Sequence, residues 1–183
     1  MRIITGKYKG KRFDVPHTFK ARPTTDFAKE NIFNVLRAYV DFEETRVLDL
    51  FAGTGSITLE FLSRGCPEVT SVERDRQHFG FIASCLRSLG DPAAHPVCGD
   101  ALRFIDRASR SFDLIFADPP YALRELPELP DRILASALMH SATEEQEATL
   151  LVLEHGKNLD FSNHPNFLEH RAYGSVNFSI FRK

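Results

Sequence analysis

The chain is poor in cysteine: only Cys66, Cys85 and Cys98 occur in 183 residues, far apart in sequence. They form no Cys-x-x-Cys pair and have no histidine cluster beside them, so no zinc site is expected and they read as reduced, mostly buried thiols. Long apolar runs are missing as well. Neither the opening Met1-Arg-Ile-Ile-Thr-Gly-Lys7 nor any later stretch reaches signal-peptide or membrane-helix length. The expectation is a cytoplasmic protein, neither exported nor anchored. Repeats, low-complexity tracts and a marked linker are also lacking, and 43% hydrophobic residues suffice for one substantial core.

Charge of one sign is scarce overall, with a formal net charge of -2, but its distribution is uneven. Residues 1–37 carry nine Lys or Arg against three Asp or Glu, so the rest of the chain is acidic. A basic arm on an acidic body suits contact with a polyanion through phosphates, and a solvated charged hairpin would look the same. The expected division is a basic appendage over 1–40 and a main domain over 41–183.

In the arm, Ile3-Ile4-Thr5 and Arg12-Phe13-Asp14-Val15 flank Gly6-Lys-Tyr-Lys-Gly10 and predict a small β-hairpin with lysines at its tip. Arg22-Pro-Thr-Thr-Asp26 offers helix N-caps before Ala28, Ile32, Val35, Leu36, Tyr39 and Val40 at helical spacing. From residue 46 apolar strands alternate with helical segments, which is the pattern of a doubly wound, mostly parallel α/β sheet. Strands are predicted near 46–51, 69–73, 96–98, 112–117 and 150–154, and helices near 57–64, 76–89, 101–107 and 131–139. Gly65 and Gly90 fall where helix ends favour a left-handed residue, and 167–173 with 176–182 read as a closing antiparallel hairpin.

Four strand ends carry chemistry. Val47-Leu-Asp49-Leu-Phe-Ala-Gly53-Thr-Gly55-Ser56 runs a buried strand into a glycine turn before a helix, where backbone can approach a ligand and free N–H groups face it. A third glycine of the dinucleotide fingerprint is absent, so the turn alone is a weak signal. Glu73 ends the next strand 20 residues after Gly53, at the place of an acid that accepts ribose hydroxyls. Asp100 and Ala101 after the third strand could hold an adenine amine, and Asp100 could equally cap a helix.

The fourth strand ends in Asp118-Pro119-Pro120-Tyr121. Two prolines stop the strand and fix its last carboxylate and carbonyl at the sheet edge. Asp118 and the Pro119 carbonyl can then accept the N–H groups of an amine on a planar base, with the Tyr121 ring stacked on that base.

Asp-Pro-Pro-Tyr after the fourth strand, with Leu-Asp-Leu-Phe-Ala-Gly-Thr-Gly-Ser after the first, resembles the Rossmann-like class I S-adenosylmethionine methyltransferases that modify exocyclic amines. Arg2-Ile-Ile-Thr-Gly-Lys-Tyr-Lys-Gly-Lys-Arg12, Arg22-Pro-Thr-Thr-Asp26 and Phe33-Asn-Val-Leu36 extend the likeness to the bacterial 16S ribosomal RNA guanine-N2 methyltransferase family over essentially the whole chain. The resemblance implies a seven-stranded sheet with a C-terminal hairpin. It implies S-adenosylmethionine held by Asp49, Gly53, Gly55, Ser56, Glu73, Asp100 and Ala101, and a guanine held by Asp118, Pro119 and Tyr121. RNA would lie on Lys7, Lys9, Lys11, Arg12, Arg22 and Thr24. The implied substrate is 16S ribosomal RNA in an assembled or partly assembled small subunit, and the enzyme is expected to be a monomer needing no metal. Segments 122–130 and 144–147 match no motif. Methylation of adenine N6 in RNA or DNA, a nicotinamide-dependent oxidoreductase and a non-catalytic RNA-binding module are the competing readings. The oxidoreductase leaves Asp118-Pro-Pro-Tyr121 without a role.

Overall fold

The computed structural model describes residues 1–19 and 25–183. Five strands are parallel: β1 (Arg46–Leu50), β2 (Glu68–Glu73), β3 (Ala94–Cys98), β4 (Leu114–Ala117) and β5 (Leu150–His155). β6 (Phe167–Tyr173) and β7 (Val176–Arg182) form the predicted antiparallel hairpin, and the sheet order is β3-β2-β1-β4-β5-β7-β6. The seven-stranded, doubly wound sheet is therefore observed.

The central strands read as continuous apolar runs because helices cover both of their faces. Val47, Leu114, Phe116, Leu150 and Val152 pack on one side with α1 (Asp26–Leu36), α2 (Ser56–Ser63) and α3 (Arg76–Leu89). Leu48, Leu50, Ile115, Ala117, Leu151 and Leu153 pack on the other with α4 (Ala101–Asp106) and α5 (Leu129–Leu134). The chain runs outward from β1 to β2 and β3, then returns to β4 and β5, so direction reverses between β1 and β4. That is where sheets of this kind open a ligand crevice at the carboxyl ends of their strands.

Three local expectations are modified. The hairpin of the arm pairs only briefly: Arg2 and Arg12 bridge, Ile3 N–H donates to the Lys11 carbonyl at 3.0 Å, Gly10 N–H to the Ile3 carbonyl at 2.9 Å and Phe13 N–H to the Met1 carbonyl at 3.0 Å, and the backbone between them turns onto α2. Ile4 and Thr5 donate their N–H groups to the Glu60 carboxylate at 3.0 Å each, and Lys7 N–H donates to the Ser63 carbonyl at 2.7 Å. Partners on α2 thus supplement a short cross-strand ladder. Gly6 adopts φ +89°, and a Cβ there would lie 1.8 Å from the Ser63 carbonyl oxygen, so the close approach needs glycine. Buried Glu60 is balanced by Lys29 Nζ at 3.6 Å and Arg64 Nη2 at 3.0 Å.

The second change is in the helix predicted over 131–139, which begins earlier, with Pro130 in its first turn, and ends at Leu134. The Ser136 hydroxyl donates to the Ile133 carbonyl at 2.7 Å and accepts from Leu138 N–H at 3.2 Å, offering the backbone a turn in place of helix. The third is Cys98, which is exposed, whereas Cys66 and Cys85 are buried. Segment 144–147 is a turn fastened by Gln146 to Asp113 at 2.8 Å and by Glu147 to Arg182 at 3.1 Å.

Candidate active site

The β1–α2 turn is built from left-handed residues: Gly53 at φ 57°, Gly55 at φ 78° and, unusually for a side chain with a Cβ, Phe51 at φ 63°. A Cβ on Gly55 would come within 3.1 Å of Ile82 Cγ1, so this glycine also serves close packing against α3. Glu73, at the end of β2, is held from both sides. Gly53 N–H donates to its Oε2 at 2.8 Å and Asp75 N–H donates to its Oε1 at 2.7 Å. Each oxygen keeps acceptor capacity, so a vicinal diol fits a carboxylate already oriented at the mouth of the turn.

Asp49 lies beneath that turn, 1% exposed, accepting from the Thr58 hydroxyl at 2.5 Å. Burial pushes its carboxyl up to about 7 against the Thr58 hydrogen bond, and the Glu73 charge adds to the rise. Ser56 is buried, and its Oγ accepts from Lys29 Nζ of α1 at 3.0 Å. Asp100 caps α4 by accepting from Arg103 N–H at 3.0 Å, and its other oxygen is 3.9 Å from Arg74 Nη1. Both of its sequence readings, cap and edge carboxylate, thus concern one half-buried group; Ala101 behind it is buried.

Across the switch point, Asp118 follows β4 directly, its N–H reaching the Leu50 carbonyl at 3.3 Å. Pro119 is buried, and the Pro120 carbonyl accepts from Leu123 N–H at 2.8 Å, closing the turn that projects Tyr121. Tyr121 is 48% exposed, an unusual position for so large a ring. Its hydroxyl donates to Glu154 Oε1 at 3.0 Å.

Glu154 was not among the sequence candidates. It is 5% exposed on β5, and the pairing of Ala117 with Leu153 brings Asp118 beside it, close enough for their carboxyl groups to hydrogen-bond. Burial, the Glu154 charge and the Asp49 charge raise the Asp118 carboxyl well above its usual range. Burial and Glu154 likewise raise the Tyr121 phenol. The Asp118 carboxylate is therefore half of a pair of acids. A signal for Glu154 was present: Leu150-Leu-Val-Leu-Glu154-His-Gly156 ends an apolar strand in an acid, as Val69-Thr-Ser-Val-Glu73 does.

Of the proposed RNA contacts, Lys7 Nζ is 2.8 Å from Asp91 Oδ2, a hydrogen bond that raises its pKa, and Lys11 Nζ donates to the Ser88 carbonyl at 2.9 Å. Lys9 and Arg12 are exposed and make no ion pair among the described residues. Arg22 and Thr24 lie outside the described residues.

The strand order, the glycine turn facing a pinned acid on β2 and the carboxylate-bearing edge at β4 define a class I methyltransferase, a class that uses S-adenosylmethionine. The chain belongs to the family described as Conserved hypothetical protein 95, whose profile matches residues 1–182. It is 32% identical to a Bacillus subtilis protein named "Putative rRNA methyltransferase YlbH", over all of this chain and 99% of that one. It is 34% identical to Escherichia coli "Ribosomal RNA small subunit methyltransferase D" over 66% of this chain and 60% of that protein. The solved structure titled "Putative methyltransferase yhhF from Escherichia coli" superposes with a TM-score of 0.82 at 26% identity, covering all of this chain and 97% of that one.

Proposed function

We propose that this protein transfers a methyl group from S-adenosylmethionine to the exocyclic N2 of a guanine in 16S ribosomal RNA, acting in the cytoplasm on an assembled or partly assembled small subunit. The observation that carries the reading is the β4 edge, where Asp118, held rigid by two prolines, stands beside a half-exposed tyrosine ring. An exocyclic amine is a weak nucleophile because its lone pair is delocalised into the base. Hydrogen bonds from its N–H groups to Asp118 and the Pro119 carbonyl localise that pair, and negative charge at the strand ends stabilises the positive charge that develops on nitrogen. Stacking on Tyr121 fixes the base plane, and alignment for in-line displacement supplies the rest.

On the cofactor side, Glu73 would take the ribose hydroxyls, the glycine turn would face the amino-acid end, and Asp100 would meet the adenine amine. Relatives named as ribosomal RNA methyltransferases support the substrate class. Exposed Lys9 and Arg12 are the arm's best phosphate contacts. The test is transfer of labelled methyl to small subunits and to naked 16S RNA, followed by nucleoside analysis. N2-methylguanosine is expected; N6-methyladenosine would move the reading to adenine, and no transfer to nucleic acid would overturn it.

A further inference from the structure

We propose that Glu154 is a positioning residue of the methyl-transfer site, seating the Tyr121 ring through its hydroxyl and sharing one proton with Asp118 so that the pair offers a single negative charge to the incoming amine. The inference rests on the exocyclic-amine reading above. Three observations carry it. Tyr121 hydroxyl and Glu154 Oε1 are 3.0 Å apart, while the β4–β5 register sets Asp118 and Glu154 side by side. At Gly156 a Cβ would stand 3.4 Å from Tyr121 Cδ2 and 2.8 Å from Asn158 Oδ1, so the ring rests on a position without a side chain. Glu154 is almost wholly buried and Asp118 half-buried, and two carboxylates in hydrogen-bond contact in such a site cannot both be ionised at neutral pH without a large cost.

The surroundings hold the pair in that state. Asp49 on β1 and Tyr121 on the loop after β4 are the titratable groups acting on it, and β7 places Phe178 opposite Glu154 in the ladder. The raised Asp118 carboxyl agrees with a shared proton. During transfer the amine lone pair forms the new C–N bond while the C–S bond breaks and its electrons neutralise the sulfonium. The methylated nitrogen, now positive, loses a proton to the pair, which passes from one proton to two and later returns one to water.

The test uses the full chain in two assays. In cofactor-free protein, carboxyl-selective NMR titration should find Asp118 protonated well above the usual carboxylate range, and Glu154→Gln should bring it down, because an amide cannot hold the second charge. In single-turnover transfer, Glu154→Gln should move the acid limb of the pH–rate profile to higher pH, because that limb reports the second protonation of the pair and the proton shared with Glu154 no longer opposes it. Tyr121→Phe should move it to higher pH, since the hydroxyl that favours ionised Glu154 is lost. Glu154→Ala should cost about tenfold or more in rate, with partial recovery in Glu154→Gln. S-adenosylhomocysteine affinity, read by calorimetry, should stay within about threefold in all variants. An Asp118 titration indifferent to Glu154→Gln, or acid limbs unmoved by both substitutions, overturns the proposal. If the parental protein methylates no amine, the functional reading fails separately, and the NMR titration still decides whether the carboxyls share a proton.

Discussion

The two halves of the crevice satisfy their acids differently. At the β2 end, Glu73 is held by backbone N–H groups from Gly53 and Asp75, donors that cannot be exchanged or titrated. At the β4–β5 end, Asp118 and Glu154 are held by each other and by a tyrosine hydroxyl. Backbone donors are fixed by the fold, so the Glu73 carboxylate is oriented in advance. Side-chain acids in contact make a site whose charge depends on a proton, which suits the half where positive charge appears and a proton must leave. The lesson is that one sheet edge can supply a fixed acceptor and a tunable one by changing only what donates to the carboxylate.

The largest expected effect lies at the tunable half. Asp118→Ala should lower the single-turnover rate by roughly a hundredfold to a thousandfold while cofactor affinity stays within about threefold. A near-parental rate would erase the contrast by leaving the β4 edge without a chemical role. At the fixed half, Glu73→Ala should weaken S-adenosylmethionine and its demethylated product by about 1.5 to 3 kcal/mol in calorimetry, through lost charge-assisted bonds. Unchanged binding would make Glu73 a brace of the turn and nothing more.

Asp49, between the halves, sharpens the comparison through pH. Its folded carboxyl lies near 7 against an ordinary 3.8, so its contribution to stability is full below about 4 and is lost as pH rises toward 7. Stability measured by denaturant should therefore fall across that window, and Asp49→Asn should flatten the fall by up to about 1.4 kcal/mol per pH unit. An identical slope in the variant would mean that Asp49 stays ionised. The smallest effect is expected at the arm, away from both halves. Replacing Lys9 and Arg12 together with Ala should weaken RNA association and reduce its salt slope by about two phosphate contacts' worth, with cofactor binding unchanged. Lys7 and Lys11 should contribute less slope, because Asp91 and the Ser88 carbonyl already engage them.

Much of this was legible in the chain because it depends on local chemistry. Apolar runs such as Leu114-Ile-Phe-Ala117 mark strands buried on both faces, and their alternation with helical segments specifies a parallel sheet. Left-handed Gly53 and Gly55, Glu73 after β2 and the prolines after Asp118 are readable for the same reason: each is a backbone constraint or a strand-end charge written in consecutive residues. What only the tertiary structure decided involves partners distant in sequence. The meeting of Asp118 with Glu154 depends on the β4–β5 register, between residues 36 positions apart in the chain. The contact of Lys29 on α1 with the Ser56 hydroxyl likewise joins residues 27 positions apart. The docking of the arm was decided by Glu60 and Ser63 on α2, which accept the N–H groups of Ile4, Thr5 and Lys7 that its cross-strand bonds do not use. Sequence periodicity records which way a side chain faces, but a proton shared between two carboxyls exists only once folding has set them in contact in a largely buried site.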